Sequence, residues 1–282
     1  MNLIQLVVYM LELKCDDLTI EGQSLSGIST YFRIGELDLI FDLGRCPISF
    51  IGTNHVFISH FHLDHYFGLP IYISQRWMAG ISPGKIFVPA DGSQQISQIL
   101  DQISKLDCNS LWTYELIPVK PNDRIEFRNN LVAYVLPLTH RVTSVGYLIC
   151  EVRKKLKPEF HQLRGSEIAS LKKSGVTVTH QVELPKVAYL GDTNTIPMND
   201  HPLLAESPTL ISECTFILPE DRKKASDTMH LHLDQIVEIM PKIKSRNVVL
   251  THLSRRYDTT TIQQTIFSRF SRSDQERIKL II

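Results

Sequence analysis

Cysteine is scarce in this chain of 282 residues, and its placement excludes a disulfide framework. There are five cysteines, an odd number, and no two of them form a CxxC pair. Small secreted domains that depend on disulfides carry even sets at short spacings, so scattered thiols favour a reducing compartment. We therefore expect a cytoplasmic protein. The cysteines are Cys15, Cys46, Cys108, Cys150 and Cys214.

Long hydrophobic runs are also missing. The apolar stretch at residues 3–11 is too short to span a bilayer, and it lacks the basic start and the cleavage site of a signal peptide. No later run reaches the roughly 18 apolar residues of a membrane helix. We expect no membrane association. Residues 1–9 are interpreted as an extension in front of a first strand that begins near Leu11.

An excess of either charge is absent as well. Lysine and arginine number 30, as do aspartate and glutamate, so the formal net charge is zero. A nucleic acid would have to be held by a local patch, because most proteins that bind it by electrostatics are basic overall. The densest basic region lies in the segment Arg153–Leu184 and is either a solvated face or an exosite that grips phosphates. A second basic run is Arg222–Lys224.

A dense group of metal-binding residue types follows the apolar run 56–58. His60, His62, Asp64 and His65 lie within six positions. Imidazole nitrogen and carboxylate oxygen both suit Zn²⁺. Alternate residues of an extended chain share a face, so His60 and His62 can reach one ion, and after a turn Asp64 and His65 can reach a second. Without metal, buried groups of this kind would cost about 1–3 kcal/mol each, so a metal site is the favoured interpretation.

Strand-like and helical patterns alternate along the chain, with no clear linker between them. This mixture predicts one layered domain of the α/β or α+β class over residues 1–282. Helices are predicted from Gly92 to about Leu106, at Leu233–Met240 and at Thr259–Phe270. The predicted strands are Leu37–Phe41, His55–Ser59, Lys85–Val88, Leu131–Pro137, Val145–Glu151, Val187–Leu190, Thr209–Ser212 and Asn247–Thr251.

Five ligand candidates each follow an apolar strand, and one of them, His60, belongs to the group already described. They are Asp42, His60, His140, Asp192 and His252. A sheet that presents these strand ends along one edge would gather the five side chains into a single cleft. A purely structural role explains one such residue well and five in succession poorly.

Together these residues resemble the metallo-β-lactamase superfamily. Its signature is an HxHxDH motif, then an isolated histidine, an aspartate after glycine, and a late histidine. The resemblance implies an α+β fold, an αβ/βα sandwich of four layers with the metal site at one edge of two packed sheets. The matching residues are His60, His62, Asp64 and His65, then His140, Asp192 and His252, with Asp42 at the end of an early strand.

A narrower resemblance is to the RNase Z group, the endonucleases that trim the 3′ end of precursor tRNA, and especially to its short plant-type members. Two features depart from the group. The Gly-Glu-Gly-Thr run after the early aspartate is replaced by Arg45–Pro47, and the long arm that clamps tRNA is reduced to the shorter segment 153–184. The similar runs are Phe41–Pro47, His140–Tyr147, Lys155–Phe160, Glu213–Phe216, His230–His232 and Leu250–Tyr257.

The resemblance implies two metal ions in each subunit, with Zn²⁺ expected and Mn²⁺ as an alternative. It assigns His60, His62 and His140 to one ion and Asp64, His65 and His252 to the other, with Asp192 bridging both. A hydroxide shared by the ions would attack the phosphodiester in line.

Further roles are implied for residues around the metals. Asp64 would also orient the attacking water. His230, polarised by Glu213, would donate a proton to the leaving ribose oxygen, with His232 as the alternative two positions away. Asp42 would fix a ligand histidine by accepting its free N–H.

The leading functional hypothesis is a zinc-dependent endoribonuclease that removes the 3′ trailer from precursor tRNA. The alternative is a hydrolase of the same fold that acts on a small phosphodiester or related ester. A non-catalytic binding module is a third class, and the complete ligand set argues against it. The resemblance also implies a homodimer in which the exosite of one subunit serves the active site of the other.

Overall fold

The structure is a computed structural model that describes residues 11–282. The first strand, β1 (Leu11–Cys15), begins at the first of these residues, where the alternating sequence predicts it. The predicted extension at residues 1–9 lies outside the described residues. Of the helices in the described part of the chain, none is long and apolar enough to cross a membrane.

Two sheets of seven strands form the centre of the molecule, and each uses one half of the chain. The first sheet contains β1 with β2 (Leu18–Leu25), β3 (Ser29–Ile34), β4 (Leu39–Leu43), β5 (His55–Phe57), β6 (Lys85–Pro89) and β7 (Glu115–Val119). The second contains β8 (Arg124–Arg128), β9 (Leu131–Leu138), β10 (Ser144–Leu156), β11 (Thr179–Leu190), β12 (Thr209–Glu213), β13 (Asn247–Thr251) and β14 (Ile278–Leu280).

The helices cover the outer faces of these sheets or lie in their connections. They are α1 (Leu63–Tyr66), α2 (Leu69–Met78), α3 (Ser93–Cys108), α4 (Gly165–Lys173), α5 (Arg222–Thr228), α6 (Leu233–Ile239), α7 (Thr259–Ser268) and α8 (Arg272–Gln275). Short 3₁₀ turns lie between several of them.

Strand direction changes in the same way in both sheets. In the first, β1 to β4 are antiparallel and β4 to β7 are parallel. In the second, β8 to β11 are antiparallel and β11 to β14 are parallel. Parallel strands end at a common edge, where open sheets of this kind bind their ligands.

The principal core lies between the two sheets and is rich in aromatic rings. Phe41 of β4 stacks on Tyr189 of β11 with ring centroids 4.9 Å apart. Phe57 of β5 meets Tyr147 of β10 edge to face at 5.0 Å. All four rings are buried, and each pair joins one sheet to the other, so the aromatic contacts set how the sheets face each other.

Two further cores lie on the outer faces. Buried residues of α2 and α3 pack on the first sheet, and buried residues of α6 and α7 pack on the second. The order across the molecule is therefore helix, sheet, sheet, helix. The predicted α+β sandwich of four layers is confirmed.

Several element boundaries differ from the predicted ones. The strand predicted at Leu37–Phe41 is observed as β4, two residues later, because Gly35–Leu37 forms a 3₁₀ turn and Asp38 takes a left-handed backbone conformation. The helix predicted at Thr259–Phe270 is α7, which ends at Ser268. Five strands were not predicted: β2, β3, β7, β8 and β14. Of these, β7 and β8, which flank a turn at residues 120–123, alternate weakly and are half exposed.

The segment Arg153–Leu184 is a paired extension of two strands. β10 and β11 continue to pair as far as Leu156 opposite Thr179, and a short turn with α4 forms the tip. The basic side chains along it are exposed or half-exposed. Ser144, at the other end of β10, donates a hydrogen bond of 2.9 Å to the carbonyl of Asp192. Arg153, where the segment starts, is nine residues after Ser144. At about 3.3 Å per residue along a strand, it lies roughly 30 Å from that end of β10.

The core between the sheets makes a quantitative prediction. Leu39 of β4 is fully buried in it, whereas Leu106 of α3 is 89% exposed. We expect Leu39→Ala to lower the free energy of unfolding by about 2–5 kcal/mol because it removes apolar contacts and leaves a cavity. Leu106→Ala, the matched control, should change it by no more than about 0.5 kcal/mol. Urea unfolding measures both, and equal effects would contradict the assigned packing.

Candidate metal centre

Residues from both sheets meet at the edge where the parallel strands end. β4 supplies Asp42, the segment after β5 supplies His60, and β9 is followed by His140. β11 and β13 are followed by Asp192 and His252. All five sequence-predicted strand-end residues therefore reach one place, and side chains that could hold a metal ion form groups there.

The first group contains His60, His62, His140 and Asp192, whose ligand atoms lie within 4.8 Å of one another. His60 Nε2 is 3.7 Å and His140 Nε2 is 4.0 Å from Asp192 Oδ2. His140 Nε2 is also 3.3 Å from His62 Nδ1. These ring nitrogens converge on a common point, which is the arrangement that a bound ion requires.

The second group contains Asp64, His65 and His252. The Nε2 atoms of His65 and His252 each lie 3.5 Å from Asp64 Oδ2. They lie 3.5 and 3.4 Å, respectively, from Asp192 Oδ2. Asp192 is thus within reach of both groups, in the position that the sequence analysis assigns to a bridging carboxylate.

Asp42 is buried behind these groups and orients two of the histidines. Its Oδ2 lies 2.6 Å from His65 Nδ1 and accepts hydrogen bonds from Ser59 Oγ at 2.8 Å and Tyr189 OH at 2.5 Å. Ser59 Oγ is in turn 2.9 Å from His60 Nδ1. One carboxylate therefore fixes His65 directly and His60 through a hydroxyl, so that Nε2 of each ring points into the site.

The other rings are held by different partners. His140 Nδ1 lies 2.8 Å from the carbonyl of Met229, and His252 Nδ1 lies 2.9 Å from Thr215 Oγ1. The sequence does not reveal the roles of Ser59, Tyr189, Thr215 or Met229, because a hydroxyl or a backbone carbonyl that orients a ligand has no distinct sequence signal.

The unpaired atoms of the donor set indicate that it fits a metal ion. The Nε2 atoms of His60, His65 and His252 are buried and have no hydrogen-bond partner among the described residues. Buried polar atoms of a folded protein are nearly always satisfied. Three unpaired nitrogens that face two carboxylates are what a site for a cation of the zinc type presents.

Electrostatics within the cluster are consistent with this fit. Burial, followed by the charge of neighbouring imidazoles, lowers the pKa of His60 and His62, which favours the neutral form that binds metal. Burial opposes charge on His65 too, but Asp192 and Asp42 outweigh it and raise its pKa. A cation bound to Nε2 of His65 would replace the proton that this nitrogen carries in the imidazolium form.

Three residues of the site have a left-handed backbone conformation. Asp42, Met229 and His252 have φ angles of 51°, 58° and 56°. Left-handed backbone is uncommon outside glycine and is retained where the surroundings enforce it. At each of these positions it directs a carboxylate, a carbonyl or an imidazole into the site.

Two glycines allow the close packing behind the ligands. A Cβ on Gly44 would lie 1.8 Å from the carbonyl oxygen of Asp64, and one on Gly191 would lie 2.5 Å from Cβ of Ser59. Any larger residue would displace the loops that carry these site residues.

Glu213 and His230 form a pair at the edge of the two metal-binding groups, and His230 also forms a third possible group with Asp192 and His252. His230 Nδ1 lies 3.0 Å from Glu213 Oε1, and Glu213 also accepts hydrogen bonds from Thr193 N at 2.7 Å and Thr215 Oγ1 at 2.5 Å. Burial disfavours the imidazolium form of His230, but the charge of Glu213 outweighs it and raises the pKa of His230. This ring is therefore suited to carry a proton.

His232, the alternative candidate, has a different environment. Its Nδ1 accepts a hydrogen bond of 3.1 Å from Asp234 N and caps α6, while its Nε2 lies 2.9 Å from the carbonyl of Leu218. Both ring nitrogens are used in holding the chain. The geometry favours His230 as the residue that faces the site.

Comparison with known proteins identifies the relatives of this chain. Residues 47–253 match the family described as the beta-lactamase superfamily domain. The chain is 34% identical over 273 residues to the chloroplastic tRNase Z TRZ2 of Arabidopsis thaliana, covering 94% of this chain and 75% of that protein. It is 32% identical over 252 residues to tRNase Z TRZ1 of the same plant, covering 88% and 89%.

A solved structure shows the same fold at low identity. The metallo-beta-lactamase fold protein YhfI from Bacillus subtilis superposes with a TM-score of 0.60 at 14% identity, covering 92% of this chain and 93% of that one. The family match includes the HxHxDH motif and the segment up to residue 253. The chain belongs to the beta-lactamase superfamily and, within it, to the tRNase Z group of metal-dependent phosphodiester hydrolases.

Proposed function

We propose that this protein is a zinc-dependent endoribonuclease that cuts the 3′ trailer from precursor tRNA. The observation that carries the proposal is the Glu213–His230 pair, which lies beside two metal-binding groups in one cleft. A binding module has no need of a proton donor there. The similarity to two plant proteins named tRNase Z supports RNA as the substrate.

The residues divide into ligands and proton carriers. His60, His62 and His140 would hold one ion and Asp64, His65 and His252 the other, with Asp192 between them. Two such ions supply an activated water and neutralise charge on the phosphate. The nitrogen and oxygen donors suit zinc, and Mn²⁺ is the alternative. Asp64, which accepts a hydrogen bond of 2.9 Å from Gly27 N, is held in place to orient water as well.

His230 would act as the general acid. With Nδ1 bound to Glu213, its Nε2 is free to deliver a proton to the ribose oxygen that leaves. The cut would leave a 3′-hydroxyl on the tRNA and a 5′-phosphate on the trailer. Glu213 holds the ring through a buried hydrogen bond and favours its charged form.

The segment Arg153–Leu184 is proposed as a reduced exosite on a single catalytic domain. Its exposed lysines and arginines suit contacts with tRNA phosphates far from the cut. It projects from the end of β10 opposite the metal centre. A segment so placed reaches away from its own active site, which supports a dimer in which it serves the partner subunit.

An exposed apolar patch supports the same proposal. Leu63, Phe67, Ile71 and Met78, on α1, α2 and their junction, are 54–62% exposed. Large apolar side chains exposed on neighbouring helices suit an interface. A second copy of this chain is the proposed partner.

The cytoplasmic location stays a prediction that reduced cysteines support, while one relative is chloroplastic.

Cleavage of precursor tRNA tests the proposed function. We expect one cut at the 3′ side of the discriminator nucleotide, lost with chelator and restored by zinc. His62→Ala should lose both metal, measured by elemental analysis, and cleavage, whereas His180→Ala, at an exposed position, should keep its metal. Turnover of a small phosphodiester without any cut in tRNA would contradict the RNA substrate and favour the small-ester hydrolase.

The role of His230 is tested by a pair of substitutions. We expect His230→Ala to keep both metal ions and to lower kcat by about 10²–10⁴-fold, the usual effect of losing a general acid. His232→Ala should lower the melting temperature, since it removes a helix cap, with little change in kcat. The reverse pattern would show that the acid is His232.

Light scattering of the purified protein tests the dimer. We expect twice the mass of one chain, and Phe67→Glu should give a monomer because it places a charge in the apolar patch. Leu106→Glu, a change at an exposed site on α3, is the control and should leave the mass unchanged. A monomeric parent protein would contradict the dimer.

A further inference from the structure

The turn that follows β13 presents two arginines on a fixed backbone. Tyr257 N donates a hydrogen bond of 3.2 Å to the carbonyl of Ser254, which leaves Arg255 and Arg256 at the tip. Ser254 N is itself anchored to the carbonyl of Thr215 at 3.0 Å. The backbone of the turn is therefore fixed next to Thr215, whose hydroxyl contacts His252, and both arginine side chains extend from it into solvent.

A second tight turn, between β2 and β3, reaches the same side of the metal centre. Gly27 N contacts Asp64 Oδ2 at 2.9 Å, and Ser24 Oγ accepts a hydrogen bond of 3.0 Å from His252 N. Ser26 lies between these two contact points. The turn therefore touches two residues of the second metal-binding group.

The two turns border a cavity of about 440 Å³ that is broadly open to solvent and is lined by Ser26, Ser254, Arg255 and Arg256. Its charge is positive and only partly balanced. Arg256 has a contact of 4.0 Å with Asp221. Within residues 11–282, no carboxylate lies within 4.0 Å of the Arg255 guanidinium. Two guanidinium groups and two hydroxyl-bearing side chains suit a phosphate group.

The location of His230 indicates which part of the substrate enters this cavity. His230 lines a different cavity, of about 280 Å³, together with Asn194 and Arg222. The leaving ribose oxygen has to lie beside His230. The other product, which keeps the scissile phosphate, must therefore continue on another side of the metal centre.

We propose that the cavity at Ser26, Ser254, Arg255 and Arg256 is a subsite for backbone phosphates of the trailer strand, beyond the scissile phosphate. This inference rests on the proposed function, since it takes RNA as the substrate. The guanidinium groups bind the second or third phosphate of the strand whose 5′-phosphate remains at the metals. The enzyme thereby recognises a trailer of more than one nucleotide.

Binding of short oligonucleotides to the zinc-loaded protein tests this subsite. The probes are a 5′-phosphorylated ribonucleotide and a 5′-phosphorylated tetraribonucleotide, each with a fluorescent label at its 3′ end. We expect the tetranucleotide to bind more tightly. Arg255→Ala and Arg256→Ala should each weaken tetranucleotide binding by about tenfold, the usual size of a charge-assisted hydrogen bond, and should leave mononucleotide binding within twofold. The slope of log Kd against log salt should fall by about 0.7 per lost contact.

Two further variants serve as controls. Arg272→Ala, which removes an exposed arginine from α8, should bind both probes as the parent protein does, and Arg255→Lys should recover part of the lost affinity. Equal binding of the tetranucleotide by parent and arginine variants would overturn the subsite. An equal loss for both probes would show that the arginines act on the metal centre. Failure of the proposed function is separate, because it appears as uncut precursor tRNA.

Discussion

The site depends on the way four ligand histidines are each divided between two tasks; they are His60, His65, His140 and His252. One ring nitrogen is bound by the protein, and the other is directed into the cleft, where those of His60, His65 and His252 are buried and have no partner among residues 11–282. Folding the chain without a cation would leave this desolvation uncompensated. Metal binding would therefore be linked to folding, and part of the binding free energy of bound ions would stabilise the edge where the two sheets meet.

The core between the sheets and the metal centre are one connected structure. Tyr189 stacks on Phe41 within that core and donates its hydroxyl hydrogen to Asp42, which fixes His65. A shift of one sheet against the other would move this hydroxyl and the ring that it helps to orient. Close packing of buried aromatic rings resists such shifts, so the precision of the site derives from the core.

Local spacing predicts part of this site and cannot predict the rest. His60, His62, Asp64 and His65 are close in sequence, and their residue types indicate a metal. The placement of distant ligands was inferred from strand ends and from resemblance to a family. Tyr189 and Thr215 were missed since their contacts lie 147 and 37 residues away in the chain. A hydroxyl in a buried strand or loop has the same local pattern whether it orients a ligand or only packs. Strand bounds shifted where a left-handed residue such as Asp38 interrupted the pattern.

The neutral net charge of the chain argues against an RNA substrate only when the charge is counted without bound metal ions. Asp42, Asp64, Asp192 and Glu213 are among the acidic residues in that count, and all four face the metal centre or orient its rings. Two divalent cations would add four positive charges to a formal charge of zero. These acidic side chains lie within the site, whereas basic side chains remain exposed on the turn at Arg255 and on the segment Arg153–Leu184. With two such cations bound, the potential along the proposed path of a phosphate chain would be positive, which overall composition does not reveal.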